Sequence, residues 1–155
     1  MNTNTPLGVD ALRAAAASRT VQRIIVHCSA TPAGRDVTAA DIDSWHRQRG
    51  FDCIGYHFLV RLDGTIEAGR QLRKAGAHCL GQNARSVGVC YAGGLDKSGK
   101  PADTRTPAQR KALIDLIAAL CQAFPGATVH GHREFAAKAC PCFDAANEYA
   151  SLTTR

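Results

Sequence analysis

Chemically reactive side chains are concentrated in one short segment of the sequence, residues 130–144. Its candidate metal ligands are His130, His132, Cys140 and Cys142. Imidazole and thiolate are ligands that zinc prefers, and a catalytic zinc takes three protein ligands and leaves its fourth position for water. The segment therefore predicts part of a zinc site that carries out hydrolysis.

A further ligand must come from elsewhere in the chain, and His27 is the best candidate. It ends the apolar run Ile24-Ile25-Val26, which is typical of a buried strand that would project the imidazole into a cleft. A single histidine there is more often a hydrogen-bonded core residue, but here other ligands accompany it. The spacing leaves open which members of the segment take part: His130 or His132, and Cys140 or Cys142. Both thiols together would form a closed structural site, which predicts no hydrolysis.

Tyr56 and Lys138 are candidates for the chemistry around the metal. A phenol can hydrogen-bond an attacking water, and an ammonium group can stabilise the oxyanion that forms when an amide carbonyl is attacked. Taken alone, a strand tyrosine and a surface lysine are more often structural or solvated. His78 lies in a glycine-rich loop, where it is either a substrate contact or a plain surface residue.

The composition indicates one globular domain with an excess of positive charge. The chain has 155 residues, of which 19 are Lys or Arg and 13 are Asp or Glu, for a net charge of +6. That charge favours a polyanionic partner such as a cell wall or a nucleic acid. The basic residues are spread along the chain without a basic stripe or interleaved aromatics, so we expect no nucleic-acid partner.

Seven cysteines, an odd number, are scattered along the chain. The start of the sequence has neither a basic region nor an apolar region of a signal peptide, and no apolar run reaches the about 20 residues of a membrane span. We therefore expect a protein made in a cytoplasm, with free thiols and no membrane span. Nothing in the sequence calls for an oligomer, and a monomer is expected.

The elements that must position these side chains follow from the hydrophobic periodicity. The pattern predicts strands at residues 23–27, 54–60 and 86–91, an edge strand at Val129, and a hairpin turn at Asp63-Gly64. It predicts helices at residues 10–18, 38–49, 107–124 and 144–152. We expect the long third helix to bury Ile114 among its apolar residues. These elements indicate an α/β or α+β domain at residues 21–155, preceded by an N-terminal appendage at residues 1–20.

Seven short motifs occur in an order that is specific to a known family. They are Val26-His27-Cys28-Ser29-Ala30-Thr31, Trp45-His46, Gly55-Tyr56-His57-Phe58, Asp63-Gly64-Thr65-Ile66-Glu67-Ala68-Gly69-Arg70, Ser86-Val87-Gly88-Val89-Cys90, Thr106-Pro107-Ala108-Gln109 and Lys138-Ala139-Cys140-Pro141. Over roughly residues 20–150, the chain closely resembles the zinc N-acetylmuramoyl-L-alanine amidases of phage-lysozyme type, which are relatives of the peptidoglycan recognition proteins.

The resemblance implies a single α/β domain, with a central mixed sheet flanked by helices and a zinc ion in a surface groove. It places the Zn²⁺ ligands at His27, His132 and Cys140 and the catalytic residues at Tyr56 and Lys138. More weakly, it implies that His78 and Asn83 line the substrate groove. The implied reaction is hydrolysis of the amide bond between N-acetylmuramic acid and L-alanine in peptidoglycan. With no signal peptide, it implies a phage or prophage endolysin held in the cytoplasm until it reaches the wall.

Three alternatives remain at this point. A cytoplasmic amidase that recycles muropeptides tends to have Asp where this chain has Cys140 and Glu in place of Tyr56. A non-catalytic peptidoglycan-binding module would lose the cysteine ligand, which this chain keeps. A structural-zinc or nucleic-acid-binding protein would fit the charge, and salt-dependent DNA binding would reveal it.

Overall fold

The computed structural model describes residues 8–154 as a mixed sheet covered by helices. The strands are β1 (Arg23–Cys28), β2 (Thr31–Pro32), β3 (Phe58–Val60), β4 (Ile66–Ala68), β5 (Ser86–Tyr91), β6 (Gly94–Leu95) and β7 (Thr128–Gly131). The α-helices are α1 (Val9–Ala16), α2 (Ala39–Gln48), α3 (Pro107–Ala123) and α4 (Ala145–Glu148). Single 3₁₀ turns lie at Asn83–Arg85, His132–Glu134 and Ala150–Leu152.

The main sheet has five strands in the order β4-β3-β5-β1-β7. β1 runs parallel to both of its neighbours, β5 and β7, while β4 runs antiparallel to β3. β2 and β6 form a separate two-stranded ribbon. The predicted α/β fold with a central mixed sheet is confirmed, and the predicted edge strand at Val129 is β7.

The two faces of the main sheet are covered by different helices. Because side chains alternate along a strand, Ile24, Val26 and Cys28 of β1 lie in the core cluster that also contains α1 and α3 residues. The opposite face meets α2, where Ile42 packs with Leu59 and Cys90. His27 alternates onto this second face, so α2 and the loops beside it define its surroundings.

Three predicted elements differ from the observed ones. The strand predicted at residues 54–60 is regular only over Phe58–Val60, because the amide of Gly55 donates to His46 Nδ1 instead of to a strand. The helix predicted at residues 144–152 divides into α4 and a 3₁₀ turn. Ile114 was predicted to be buried in α3, but it is 46% exposed and Leu116 lies in the core instead.

Part of the predicted N-terminal appendage packs against the domain. In α1, Leu12 and Ala16 are buried in the main core cluster, and Arg13 Nε donates to the carbonyl of Ala123 at the end of α3. Residues 1–7 of the predicted appendage lie outside the described residues, and the boundary at residue 20 stays a prediction. No helix among residues 8–154 is long and apolar enough to span a membrane.

Gln109 connects α3 to the ends of the central strands β3 and β5. Its Oε1 accepts from the amide of Thr106 in a capping box, and its Nε2 donates to the carbonyls of Val60 and Ala92 at 3.2 and 2.9 Å. The side chain is fully buried. A buried polar group with all its partners in place is costly to remove, because its partners then lose their hydrogen bonds.

We therefore expect Gln109→Leu to lower the free energy of unfolding by about 2–3 kcal/mol, measured by urea denaturation. Gln122→Leu is the matched control, since Gln122 is an exposed residue of the same helix, and it should change stability by less than about 0.5 kcal/mol. Equal stability of Gln109→Leu and the parent protein would contradict this role.

Candidate metal centre and groove

The structure brings His27, His132 and Cys140 together. One ligand atom from each side chain lies within 4.8 Å of the others. His130 and Cys142, which the sequence left open as alternative ligands, bond to other groups. The ring of His130 bonds Thr128 Oγ1 and Glu134 Oε1, and the thiol of Cys142 donates to the carbonyl of Gly94.

Parallel strands explain why two of these residues meet. His27 is near the end of β1, and His132 directly follows β7, whose Gly131 is in register with Val26. The carboxyl ends of parallel neighbours lie at the same edge of a sheet, so the two imidazoles come to the same place; their ring centroids are 4.5 Å apart.

Cys140 reaches the site on a loop that the surrounding backbone holds in place. The amide of Cys28 donates to Cys140 Sγ at 3.2 Å, and the amide of Arg133 donates to the carbonyl of Cys140 at 2.8 Å. The buried hydroxyl of Tyr91 donates to the carbonyl of Pro141 at 2.7 Å. These contacts fix the sulfur atom of Cys140 beside the two imidazoles.

The donor set and its surroundings fit a zinc ion. Burial lowers the pKa of His27 well below its ordinary value, and the neighbouring His78 and His132 lower it further. Burial also lowers the pKa of His132, with a smaller effect from the Lys138 ammonium. Both rings are therefore neutral at pH 7, as a metal ligand requires. Two neutral imidazoles and one thiol form a three-ligand set that leaves a position open, the arrangement of a catalytic zinc site.

The candidate centre lies in a groove formed by two adjoining pockets. The smaller pocket, of about 230 Å³, is lined by Cys140 and His132 together with Ser29 and Trp45. The larger one, of about 550 Å³, extends away over the loop that carries His78. Both pockets share the same central lining residues, which are His46, Arg49, Tyr56, His132 and Lys138.

Tyr56 lies directly against the metal-ligand group. Its ring centroid is 4.9 Å from that of His27 and 5.4 Å from that of His46. His46 Nδ1 in turn accepts the amide of Gly55 at 2.8 Å, which fixes the backbone just before the tyrosine. Burial raises the pKa of Tyr56 well above its ordinary value. The phenol therefore keeps its proton and can donate a hydrogen bond.

Lys138 is an exposed residue on the rim of the groove. It precedes Cys140 by two positions on the loop that is fixed at Pro141, and it lines both pockets. The ammonium group is therefore in position to reach a substrate bound between the pockets.

His78 and Asn83 line the larger pocket, as the resemblance implies. Both also make contacts within the protein. His78 Nδ1 is 2.8 Å from His27 Nε2, and Asn83 Oδ1 accepts the amides of His78 and Cys79, each at 2.9 Å.

Sequence reasoning missed the other walls of the larger pocket. They are formed by Arg49, Phe51, Leu80 and Phe135. These residues come from three separate segments and share no motif. The one available signal in the sequence was a large apolar residue, Leu80, in a glycine-rich loop. In the structure its side chain is 95% exposed at the pocket.

Comparisons with known proteins agree with this geometry. Residues 17–143 match the family model described as N-acetylmuramoyl-L-alanine amidase. The endolysin of Klebsiella phage KP32 is 48% identical over 122 residues, which cover 79% of this chain and 81% of the phage protein.

The chain belongs to this amidase family.

Solved structures of similar fold come from bacterial and animal proteins. The endolysin N-acetylmuramoyl-L-alanine amidase LysCS from Clostridium intestinale superposes with a TM-score of 0.73 at 28% identity, covering 100% of this chain and 93% of that one. Wild-type Drosophila PGRP-LB gives a TM-score of 0.70 at 28% identity, covering 86% of this chain and 82% of that one. The family and enzyme class predicted from the ordered motifs are thus confirmed.

The geometry of this amidase predicts that metal binding depends on one thiol of the Cys140/Cys142 pair. Cys140→Ser should weaken zinc binding by more than about 100-fold, since even the hydrogen-bond partners of ligands contribute about 10–100-fold. Cys142→Ser, the matched control, should leave the affinity within about threefold of the parent. Competition with a chelator of known affinity measures both variants, and a larger loss in Cys142→Ser would contradict the assignment.

Proposed function

We propose that this amidase is a zinc enzyme that cleaves the amide bond between N-acetylmuramic acid and L-alanine in peptidoglycan. His27, His132 and Cys140 would hold the ion. The observation that carries the proposal is the convergence of these three side chains on the floor of a groove whose walls include Tyr56 and Lys138. Neither a closed structural site nor a simple binding surface needs this combination.

A bound zinc ion supplies Lewis acidity next to the scissile carbonyl. The protein supplies the orientation of the substrate and the hydrogen bonds to the reacting atoms. The two adjoining pockets beside the candidate ligands would give the substrate access to the ion.

Tyr56 would orient the reacting oxygen atoms. Its phenol is protonated and lies beside His27, so it can donate a hydrogen bond to the carbonyl oxygen or to the attacking water. Positioning of this kind contributes to the rate because the donor is fixed before the reaction begins.

Lys138 would stabilise the negative charge that develops on the carbonyl oxygen when the amide is attacked. Its ammonium group is free to reach that oxygen from the rim. A charged donor at a developing oxyanion is worth more in a partly dehydrated groove than in water.

His78 and Asn83 would contact the substrate at the far end of the groove. Both line the larger pocket together with Arg49. The net charge of +6 would favour approach to an anionic wall, and added salt should weaken that attraction.

The biological setting that fits best is that of a phage or prophage endolysin, acting as a monomer. Similarity to the phage endolysin supports it. The enzyme would remain in the cytoplasm until it gains access to the wall. Detection of export without any partner protein would contradict this route of delivery.

The alternatives fit the site less well. A muropeptide-recycling amidase is expected to have Asp and Glu where this chain has Cys140 and Tyr56. A non-catalytic peptidoglycan-binding module has no use for an intact ligand set next to a fixed phenol and an exposed ammonium group. Hydrolysis of intact peptidoglycan distinguishes the proposed enzyme from both.

Incubation with purified peptidoglycan should release new L-alanine amino termini and no new reducing sugar ends. A chelator should abolish the release, and added zinc should restore it. Cleavage that continues without metal, or that yields reducing ends, would contradict the proposal.

Substitution of the two catalytic candidates should reduce the rate while leaving zinc bound. Tyr56→Phe should lower kcat/KM by about 100-fold and Lys138→Met by about 100–1,000-fold, the range seen when a general catalyst or an oxyanion donor is removed. Lys97→Met, which removes another exposed lysine, is the matched control and should retain full activity. Equal rates for Lys138→Met and Lys97→Met would exclude a catalytic role for Lys138.

A further inference from the structure

We propose that His78 is a positioning residue, which fixes the tautomer and orientation of His27 through a hydrogen-bond chain that ends at Ser86. The inference rests on the proposed function, because it concerns how the protein prepares a ligand for the metal. It gives His78 a second role, in addition to the substrate contact proposed above.

The chain consists of three side chains in sequence. His27 Nε2 is 2.8 Å from His78 Nδ1, and His78 Nε2 is 3.2 Å from Ser86 Oγ. The rings of the two histidines are perpendicular, with centroids 4.8 Å apart. Ser86 is fully buried at the start of β5, so the end of the chain is anchored in the sheet.

This arrangement determines where the protons lie. A neutral imidazole has one N–H donor and one nitrogen lone pair. Because His27 Nε2 bonds His78, the lone pair that a metal needs must be on Nδ1, and Nε2 must carry the proton. His78 Nδ1 then accepts that proton's hydrogen bond, and its own Nε2–H donates to Ser86. The reverse direction, from Ser86 Oγ–H through His78 to His27 Nε2, would put the His27 proton on Nδ1, so a metal on Nδ1 permits only one set of tautomers.

Two glycines make the space that the His78 ring occupies. A Cβ at Gly76 would lie 2.4 Å from His78 Cδ2, and a Cβ at Gly88 would lie 2.6 Å from the same atom. Any larger residue at either position would therefore move the imidazole. The ring is therefore packed closely against both glycines, whereas a side chain that serves only a substrate needs no such packing.

The backbone that carries His78 is fixed as well. Asn83 Oδ1 accepts the amides of His78 and Cys79, and the amide of Ala77 donates to the carbonyl of Gly55 at 3.1 Å. His78 is therefore held where it can bond His27. A residue that bonds the second ring nitrogen of a metal-binding histidine orients that histidine and typically raises the affinity for the metal by about 10–100-fold.

The test compares His78→Ala with His78→Asn. An asparagine places its amide oxygen near the position of Nδ1, so it can still accept from His27 Nε2, whereas alanine cannot. We expect His78→Ala to raise the zinc dissociation constant by about 10–100-fold and His78→Asn to recover most of that loss. His130→Ala is the control, since His130 has partners outside the metal-ligand group.

A second readout follows the tautomer itself. Nitrogen NMR of ¹⁵N-histidine-labelled, metal-free protein should show His27 protonated at Nε2 in the parent protein and in His78→Asn, and a mixture of tautomers in His78→Ala. Gly88→Ala keeps every hydrogen-bonding group but displaces the ring, so it should also weaken zinc binding. If His78→Ala fails to fold, His78→Asn and Gly88→Ala still decide the question.

An unchanged zinc affinity and an unchanged His27 tautomer in His78→Ala would overturn the inference. If the KM alone rises, His78 is a substrate contact and nothing more. In either case the parent protein still binds zinc and cleaves the amide, so the proposed function stands. A parent protein that binds no zinc would overturn both.

Discussion

The site depends on one buried imidazole, that of His27. The side chain is 1% exposed, and it lies at the end of a strand whose neighbours on both sides are parallel. A buried polar group must be hydrogen-bonded or bind a ligand, because leaving it unpaired costs about 1–3 kcal/mol. His78 Nδ1 lies 2.8 Å from the Nε2 atom of this ring, and the candidate ligand atoms of His132 and Cys140 lie within 4.8 Å of its own. The candidate metal centre is therefore built around this ring.

The same constraint explains why distant segments of the chain meet here. Because β7 is parallel to β1, His132 directly after β7 lies beside His27. The loop that follows His132 carries both Lys138 and Cys140. The amide of Cys28, the residue next to His27, binds the thiol of Cys140. The helix α2 packs against this face through Ile42 and brings His46 to hold the backbone before Tyr56. The sheet therefore positions the two candidate histidine ligands, while the loops supply Cys140 and the groups proposed to act on the substrate.

Much of this could be predicted from local patterns, and some could not. The apolar run before His27 and the capping residues Thr38 and Thr106 act over a few residues, so the strand and both helices were predicted correctly. The prediction that Ile114 is buried was wrong, because helical periodicity does not show which side of α3 faces the sheet. Spacing could not separate His132 from His130, since the turn after β7 decides which ring reaches the site. The contact between His27 and His78 joins residues 51 positions apart, and no local pattern could show it.

The most direct test of the central claim is a zinc titration of the metal-free protein, with amide cleavage of a muropeptide followed at each addition. If His27, His132 and Cys140 form one catalytic site, activity should rise linearly from zero and reach its plateau at one equivalent of zinc. Full activity in the metal-free protein, or zinc binding at one equivalent without any cleavage, would contradict the claim.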